Sequence, residues 1–241
     1  MPIGIIVNAL SIVIGGMIGN VVGSRLSRRL IESMNTVFGA CAMAMGISSI
    51  VLMNNMPAVM LSVILGTSIG LLIRLGEKIS AGGLLMEKAI SKFFKGKGGN
   101  DEEYKKQLVT AIVLFCASGT GIYGSIVSGM TGEHSILLAK SVLDIATSLI
   151  FACSLGIVTC FIAIPQVIIF MLLFVFAGVI YPYCSPSMIN DFKACGGILL
   201  VATGFRIIRV KDFPIADMIP AMVLAMPISH LWTSYILPLV S

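Results

Sequence analysis

Charged side chains are scarce in this 241-residue chain: Asp, Glu, Lys and Arg make up 11% of it. A soluble domain carries roughly 25%, because its surface must face water. With 57% of the residues hydrophobic and a mean hydropathy of +1.03, most of the outer surface has to face lipid instead. The motifs of soluble enzymes are missing as well. There is no P-loop, no HExxH, no GxSxG and no clustered carboxylate site, so neither an enzyme nor a bound cofactor is expected. The six cysteines (Cys41, Cys116, Cys153, Cys160, Cys184, Cys195) form no CxxC or Cys/His spacing, and no metal site is expected. Four of them lie inside apolar runs, where a thiol acts as a small hydrophobe. Cys184 and Cys195 flank one loop and are the pair to test for a bridge. The net charge of +5 does not point to nucleic acid, because the basic residues are spread between apolar runs and form no water-facing patch.

The apolar runs fall at about 2–23, 34–53, 57–75, 108–129, 136–161, 164–183, 194–210 and 217–240. At about 20 residues per crossing, eight crossings use roughly 160 residues and leave short loops with one longer exception. The expected fold is therefore all-α: one polytopic transmembrane bundle of about eight helices over residues 1–241. The N-terminus is apolar from Pro2 with no basic region or small-residue cleavage site before Arg25, so it reads as a retained first helix. Pro57, Pro165, Pro182, Pro186 and Pro214 fall at or near run ends, where a missing N–H costs least. The long polar loop covers about 76–107; its Lys95–Glu103 tract is rich in Gly and charge, and Ile79–Phe94 reads as an amphipathic helix at the interface. Fourteen of the 16 Lys and Arg fall in loops 1–2, 3–4 and 7–8 or the helix ends leading into them, and loops 2–3, 4–5 and 6–7 hold none. By the positive-inside rule those three loops are cytoplasmic and both termini lie outside.

A weak internal repeat runs through the same helices. At an offset of 158, Leu30–Ile50 aligns with Met188–Ile208, with identities Ile31/Ile189, Gly39/Gly197, Ala44/Ala202, Gly46/Gly204 and Ile50/Ile208. Five residues further on in the second copy, Pro57-Ala-Val-Met-Leu falls on Pro220-Ala-Met-Val-Leu. Helices 2 and 7 are an odd number of crossings apart, so helices 1–3 (1–75) and 6–8 (164–241) would form an inverted repeat of the kind used by secondary transporters. The plainer reading is that Gly, Ala and Ile recur by composition.

Candidate polar sites are few. In the fourth run Gly119, Gly121 and Gly124 flank Ser118, Thr120 and Ser125; Gly costs a helix about 1 kcal/mol relative to Ala, so local unwinding is expected. Backbone freed there must face protein or a watery cavity and can bind an ion or polar solute. Close helix packing through small residues explains the same glycines. Lys140 and Asp144 are four residues apart on one face of the fifth helix. Intramembrane charges usually face a bundle interior, and the alternative is an ion pair with Lys140 snorkelling to the interface. Asp191 opens the seventh helix, where it suits the positive end of the helix dipole, and Arg206 near its end is an anion ligand or a topology anchor. Asn8 is a polar exception in the glycine-rich first helix. Gly15, Gly16, Gly19 and Gly23 form a packing stripe there, which also offers a face for a homodimer.

Phe115-Cys-Ala-Ser-Gly-Thr-Gly-Ile, Gly129-Met-Thr-Gly, Ser135-Ile-Leu-Leu-Ala-Lys-Ser, Phe151-Ala-Cys-Ser-Leu-Gly, Pro186-Ser-Met, Ala202-Thr-Gly-Phe-Arg and Leu224-Ala-Met-Pro resemble the YqgA/YdfK-type bacterial inner-membrane proteins. The resemblance runs from residue 4 to Trp232. It implies a multi-pass protein of the bacterial cytoplasmic membrane and supplies no substrate or catalytic residue. Two functions compete: a secondary transporter or channel for a small ion or polar solute, and a scaffold or regulator acting through the 76–107 loop.

Overall fold

Lipid offers no partner for backbone N–H and C=O groups, so apolar runs long enough to cross a bilayer have to close their hydrogen bonds as helices. The computed structural model describes residues 1–22, 28–93 and 102–240, and every regular element among them is helical. In chain order these are α1 (Ile3–Val22), α2 (Arg28–Ile50), α3 (Met56–Leu72) and α4 (Leu75–Phe93). There follow α5 (Glu102–Cys116), α6 (Gly119–Thr131), α7 (Ser135–Leu155), α8 (Val158–Phe161) and α9 (Ala163–Ile180). A 3-10 turn at Tyr181–Tyr183 leads to α10 (Pro186–Ile207) and α11 (Ile215–Leu231); a π-turn at Trp232–Ile236 joins α11 to α12 (Leu237–Val240).

Six helical stretches have the length and apolar character of a span: Ile3–Val22, Gln107–Thr131, Ser135–Leu155, Val158–Tyr183, Pro186–Ile207 and Ile215–Leu239. Met56–Leu72 and Leu75–Ile90 meet at a 59° bend and count as a seventh when taken as one span. The bend falls at Arg74, whose φ of 52° is left-handed and cannot continue a helix. The remaining run, 34–53, is covered by α2, whose apolar part Thr36–Ile50 is shorter. Three boundaries differ from the apolar runs. The fourth run is two helices, the fifth stops at Leu155 because Gly156 turns the chain with φ 67°, and the seventh begins at Pro186 because Ser185 caps it there. Most of the Lys95–Glu103 tract lies outside the described residues.

The chain divides into two compact units. The first comprises Met1–Met34 and Lys78–Val179. Here α1 runs along α7, with Gly4 against Leu137, Gly15 against Ile145 and Ser148, and Gly19 against Leu149. A methyl group on Gly19 would come 2.2 Å from the Leu149 carbonyl oxygen, so only glycine allows this approach. Gly16 faces Cys160. Gly15, Gly16 and Gly19 of the α1 stripe are thus packed inside the unit against α7 and α8, and Gly23 lies outside the described residues. Ile12, Leu108, Ile112, Phe115, Leu155, Val158 and Ile162 form the unit's apolar core, which α4 joins through Ile90. The opposite faces carry exposed Ile6, Leu10, Ile14, Ile164, Ile168 and Leu172, a surface suited to acyl chains and not to water.

The second unit comprises Asn35–Glu77 and Ile180–Ser241. Within it α2 and α10 cross antiparallel at their glycines, and the contacts are reciprocal. Gly39 lies against Gly204 and Ile208 while Gly197 lies against Gly46 and Ile50; Gly46 meets Val201 while Gly204 meets Met43. At the offset of 158, Gly39, Met43, Gly46 and Ile50 correspond to Gly197, Val201, Gly204 and Ile208, so each contact is matched by its exchanged counterpart. Self-complementary contacts of this kind are what a two-fold relation between the helices produces. The α3 and α11 pair packs equally closely, with Gly66 on Ala221 and Gly70 on the Asp217 carbonyl.

Candidate functional site

The fifth apolar run places Lys140 and Asp144 one turn apart on α7, and both are buried, 3% and 6% exposed. An isolated charge at the bilayer centre costs about 2.5–3.5 kcal/mol on insertion scales, so the pair survives there by being neutral together. The Lys140 ammonium donates to Asp144 Oδ2. Asn8 of α1 donates its Nδ2 to the same oxygen at 2.8 Å, and its own Oδ1 accepts from Gln166 Nε2 of α9. The carboxylate sets the direction of this chain: Asn8 must present its NH2 to Asp144, so Gln166 must present its NH2 to Asn8. Two acceptors are left over. Asp144 Oδ1 accepts no hydrogen bond among the described residues, and Gln166 Oε1 is fully buried without a partner. An orphaned buried acceptor such as Gln166 Oε1 costs about 1–3 kcal/mol.

Beside it the Gln107–Thr131 span is broken. α5 ends at Cys116, and Ser118 takes extended backbone (φ −69°, ψ 139°) and caps α6 by accepting from Gly121 N at 3.2 Å. The first N–H groups of a helix have no intrahelical partner and carry the positive end of its dipole. Here they belong to Gly119 and Thr120, inside an apolar span. Thr120 is 6% exposed, and its hydroxyl makes no hydrogen bond among the described residues. The break and the ionic network are neighbours. The Lys140 ammonium lies 5.8 Å from the ring centre of Phe115, at the end of α5. α9 runs parallel to α6, with Phe170 on Gly121 and Phe174 and Ala177 on Gly129. Gln166 is one turn before Phe170 and therefore level with the break at Ala117–Ser118.

Asn8, Ser118, Thr120, Gly121, Lys140 and Asp144 thus gather in the first unit. Ser125 lies one turn further into α6, where its hydroxyl returns to the Gly121 carbonyl at 2.7 Å and supports the helix. Asp191 and Arg206 belong to the second unit. Asp191 is fully buried, but both its oxygens are occupied: Oδ1 accepts from Asn54 N and Asn55 N, and Oδ2 from Asn55 Nδ2 and Ser229 Oγ. It pins the start of α3 and has no capacity for a ligand. Arg206 is half exposed and pairs with Asp212 at 3.0 Å, so it stands at the surface. Cys184 and Cys195 are both free thiols. An apolar groove of about 700 Å³ beside Val13, Cys160 and Phe161 offers no polar group along its wall and suits lipid.

Gln166 was not among the residues expected at the site, although two signals mark it. It is the lone polar side chain of the 18-residue α9, and at the repeat offset of 158 it falls on Asn8, the residue it bonds.

The family model described as "Protein of unknown function (DUF554)" matches residues 3–230. The "Uncharacterized protein YqgA" of Escherichia coli (strain K12) is 44% identical over 98% of this chain and 99% of its own length. The "Uncharacterized membrane protein YdfK" of Bacillus subtilis (strain 168) is 25% identical over 92% of this chain and 93% of its own length. No solved structure matches. With those relatives aligned along nearly its whole length and its apolar helices long enough to span a bilayer, the chain is a multi-pass membrane protein and belongs to the DUF554 family.

Proposed function

We propose that this protein is a secondary transporter for a small ion or polar solute in the bacterial cytoplasmic membrane, with its binding site at the α5–α6 break in the first unit. The observation that carries the reading is the Lys140–Asp144–Asn8–Gln166 network, which holds two unused acceptors beside an interrupted span. A purely structural cluster is expected to satisfy itself, as the one around Asp191 does. The inverted repeat supports the same reading. Its offset pairs Asn8 with Gln166 in one unit and generates the reciprocal α2–α10 contacts in the other, and inverted repeats let a site open alternately to either side. Both termini are placed outside the cytoplasm by the Lys and Arg bias, and impermeant thiol labelling of Lys97→Cys from the cytoplasmic face alone is the expected check.

The test is uptake by the full chain in proteoliposomes, with alkali cations, amino acids and organic acids offered in turn. Wild type is expected to carry at least one of them tenfold or more faster than Asp144→Asn. If every flux is the same in the two proteins, the transport reading is lost.

A further inference from the structure

The charge and donor balance of the site point to its ligand class. We infer that it takes a small zwitterion of the α-amino-acid class, carboxylate toward the start of α6 and Lys140, ammonium toward Asp144 and Gln166. This rests on the transport reading above and specifies its substrate.

Four observations converge. First, the site is neutral overall, because Lys140 and Asp144 cancel. A lone cation or anion would leave one net charge in an apolar surrounding, at a cost of a few kcal/mol, whereas a zwitterion adds none. Second, the broken span supplies donors: the unpaired first N–H groups of α6, the unpartnered Thr120 hydroxyl and the Lys140 ammonium. Carboxylates fit helix N-termini for this reason. Third, unused acceptors stand at the same level, on Asp144 Oδ1 and Gln166 Oε1, and a carboxylate and a carboxamide oxygen are the partners an ammonium needs. Fourth, Phe170 fills the space over Gly121, where a Cβ would fall 2.1 Å from its Cζ, and Phe115 flanks Lys140. Aromatic rings therefore border both the start of α6 and the Lys140 ammonium. No metal ligand set is needed, and every charge meets its opposite.

The experiment measures thermal stabilisation of the full chain in detergent and uptake in proteoliposomes, using glycine, alanine and serine beside their half-molecules. Ethylamine removes the carboxylate from alanine, and propionate removes its ammonium. Sites built around buried polar groups reject analogues that leave those groups unpaired. A zwitterion is therefore expected to raise the melting temperature and be taken up, with each half-molecule at least about a hundredfold weaker. Thr120→Val, nearly isosteric and outside the ion pair, is expected to raise KM tenfold or more with kcat little changed, and Gln166→Leu to do the same. Equal binding of alanine and either half-molecule would overturn the assignment. So would Asp144-dependent flux of an alkali cation or organic acid with none of any zwitterion, a result that leaves the transport reading standing. Loss of all Asp144-dependent flux would remove both.

Discussion

Removing one half of the Lys140–Asp144 pair is expected to cost more than removing both. In Asp144→Asn the Lys140 ammonium keeps its charge at 3% exposure and loses its counterion. Insertion scales and buried-pair deletions both put that at about 3 kcal/mol. Lys140→Met strands the carboxylate on the single Asn8 contact and is expected to cost a similar amount. The double variant removes both charges; an Asn at 144 can still meet the Asn8 carboxamide, so its cost falls within about 1 kcal/mol of wild type. For a chain of this length 3 kcal/mol moves the melting temperature by roughly 6–12 °C. The assay is thermal unfolding of the purified full chain in detergent, followed by tryptophan fluorescence or loss of monodispersity. Single variants that melt within 2 °C of wild type, or a double variant whose loss is the sum of the singles, would refute the reasoning, because either result means that water already solvates these groups.

Two further outcomes follow from contacts elsewhere. Gly19→Val pushes a side chain into the Leu149 carbonyl, 2.2 Å from the position of its Cβ, and is expected to separate α1 from α7 at a cost of about 3 kcal/mol, read as a lower melting temperature and lost solute binding. Asp191→Asn turns an NH2 toward the donors of Asn55 and Ser229 and is expected to cost about 1–3 kcal/mol in unfolding while leaving substrate selectivity unchanged.

Much of this arrangement is legible in the residues alone. Each of the eight apolar runs is largely helical, although the fourth and fifth are each split between two helices, since hydropathy and backbone satisfaction in lipid point the same way. The Gly119–Gly124 cluster marks the interrupted span, and the spacing of Lys140 and Asp144 marks their pairing, because both are local properties of one helix. What crosses between helices is harder to read. The Gly15–Gly19 stripe states that something packs closely on α1, but a stripe is equally suited to a neighbouring helix or a second copy, and only the chain path decides for α7. Asp191 and Asp144 look alike as lone acids, yet one is saturated by the start of α3 and the other is left with an open oxygen. That difference depends on partners 136 residues away. Gln166 shows the limit most clearly: it stands out as the lone polar side chain of α9, but only laying it over Asn8 points to its partner.

The central claim is that the start of α6 at the α5–α6 break is reached by solute, while the Lys140–Asp144 pair behind it stays shielded from water. It is tested most directly by thiol accessibility of Thr120→Cys, with the six native cysteines replaced and Glu133→Cys as the exposed control. A small water-soluble thiosulfonate is expected to label Cys at position 120 from both sides of the membrane, more slowly when a zwitterionic amino acid is present. Complete labelling of the control with none at position 120 from either side would contradict the account.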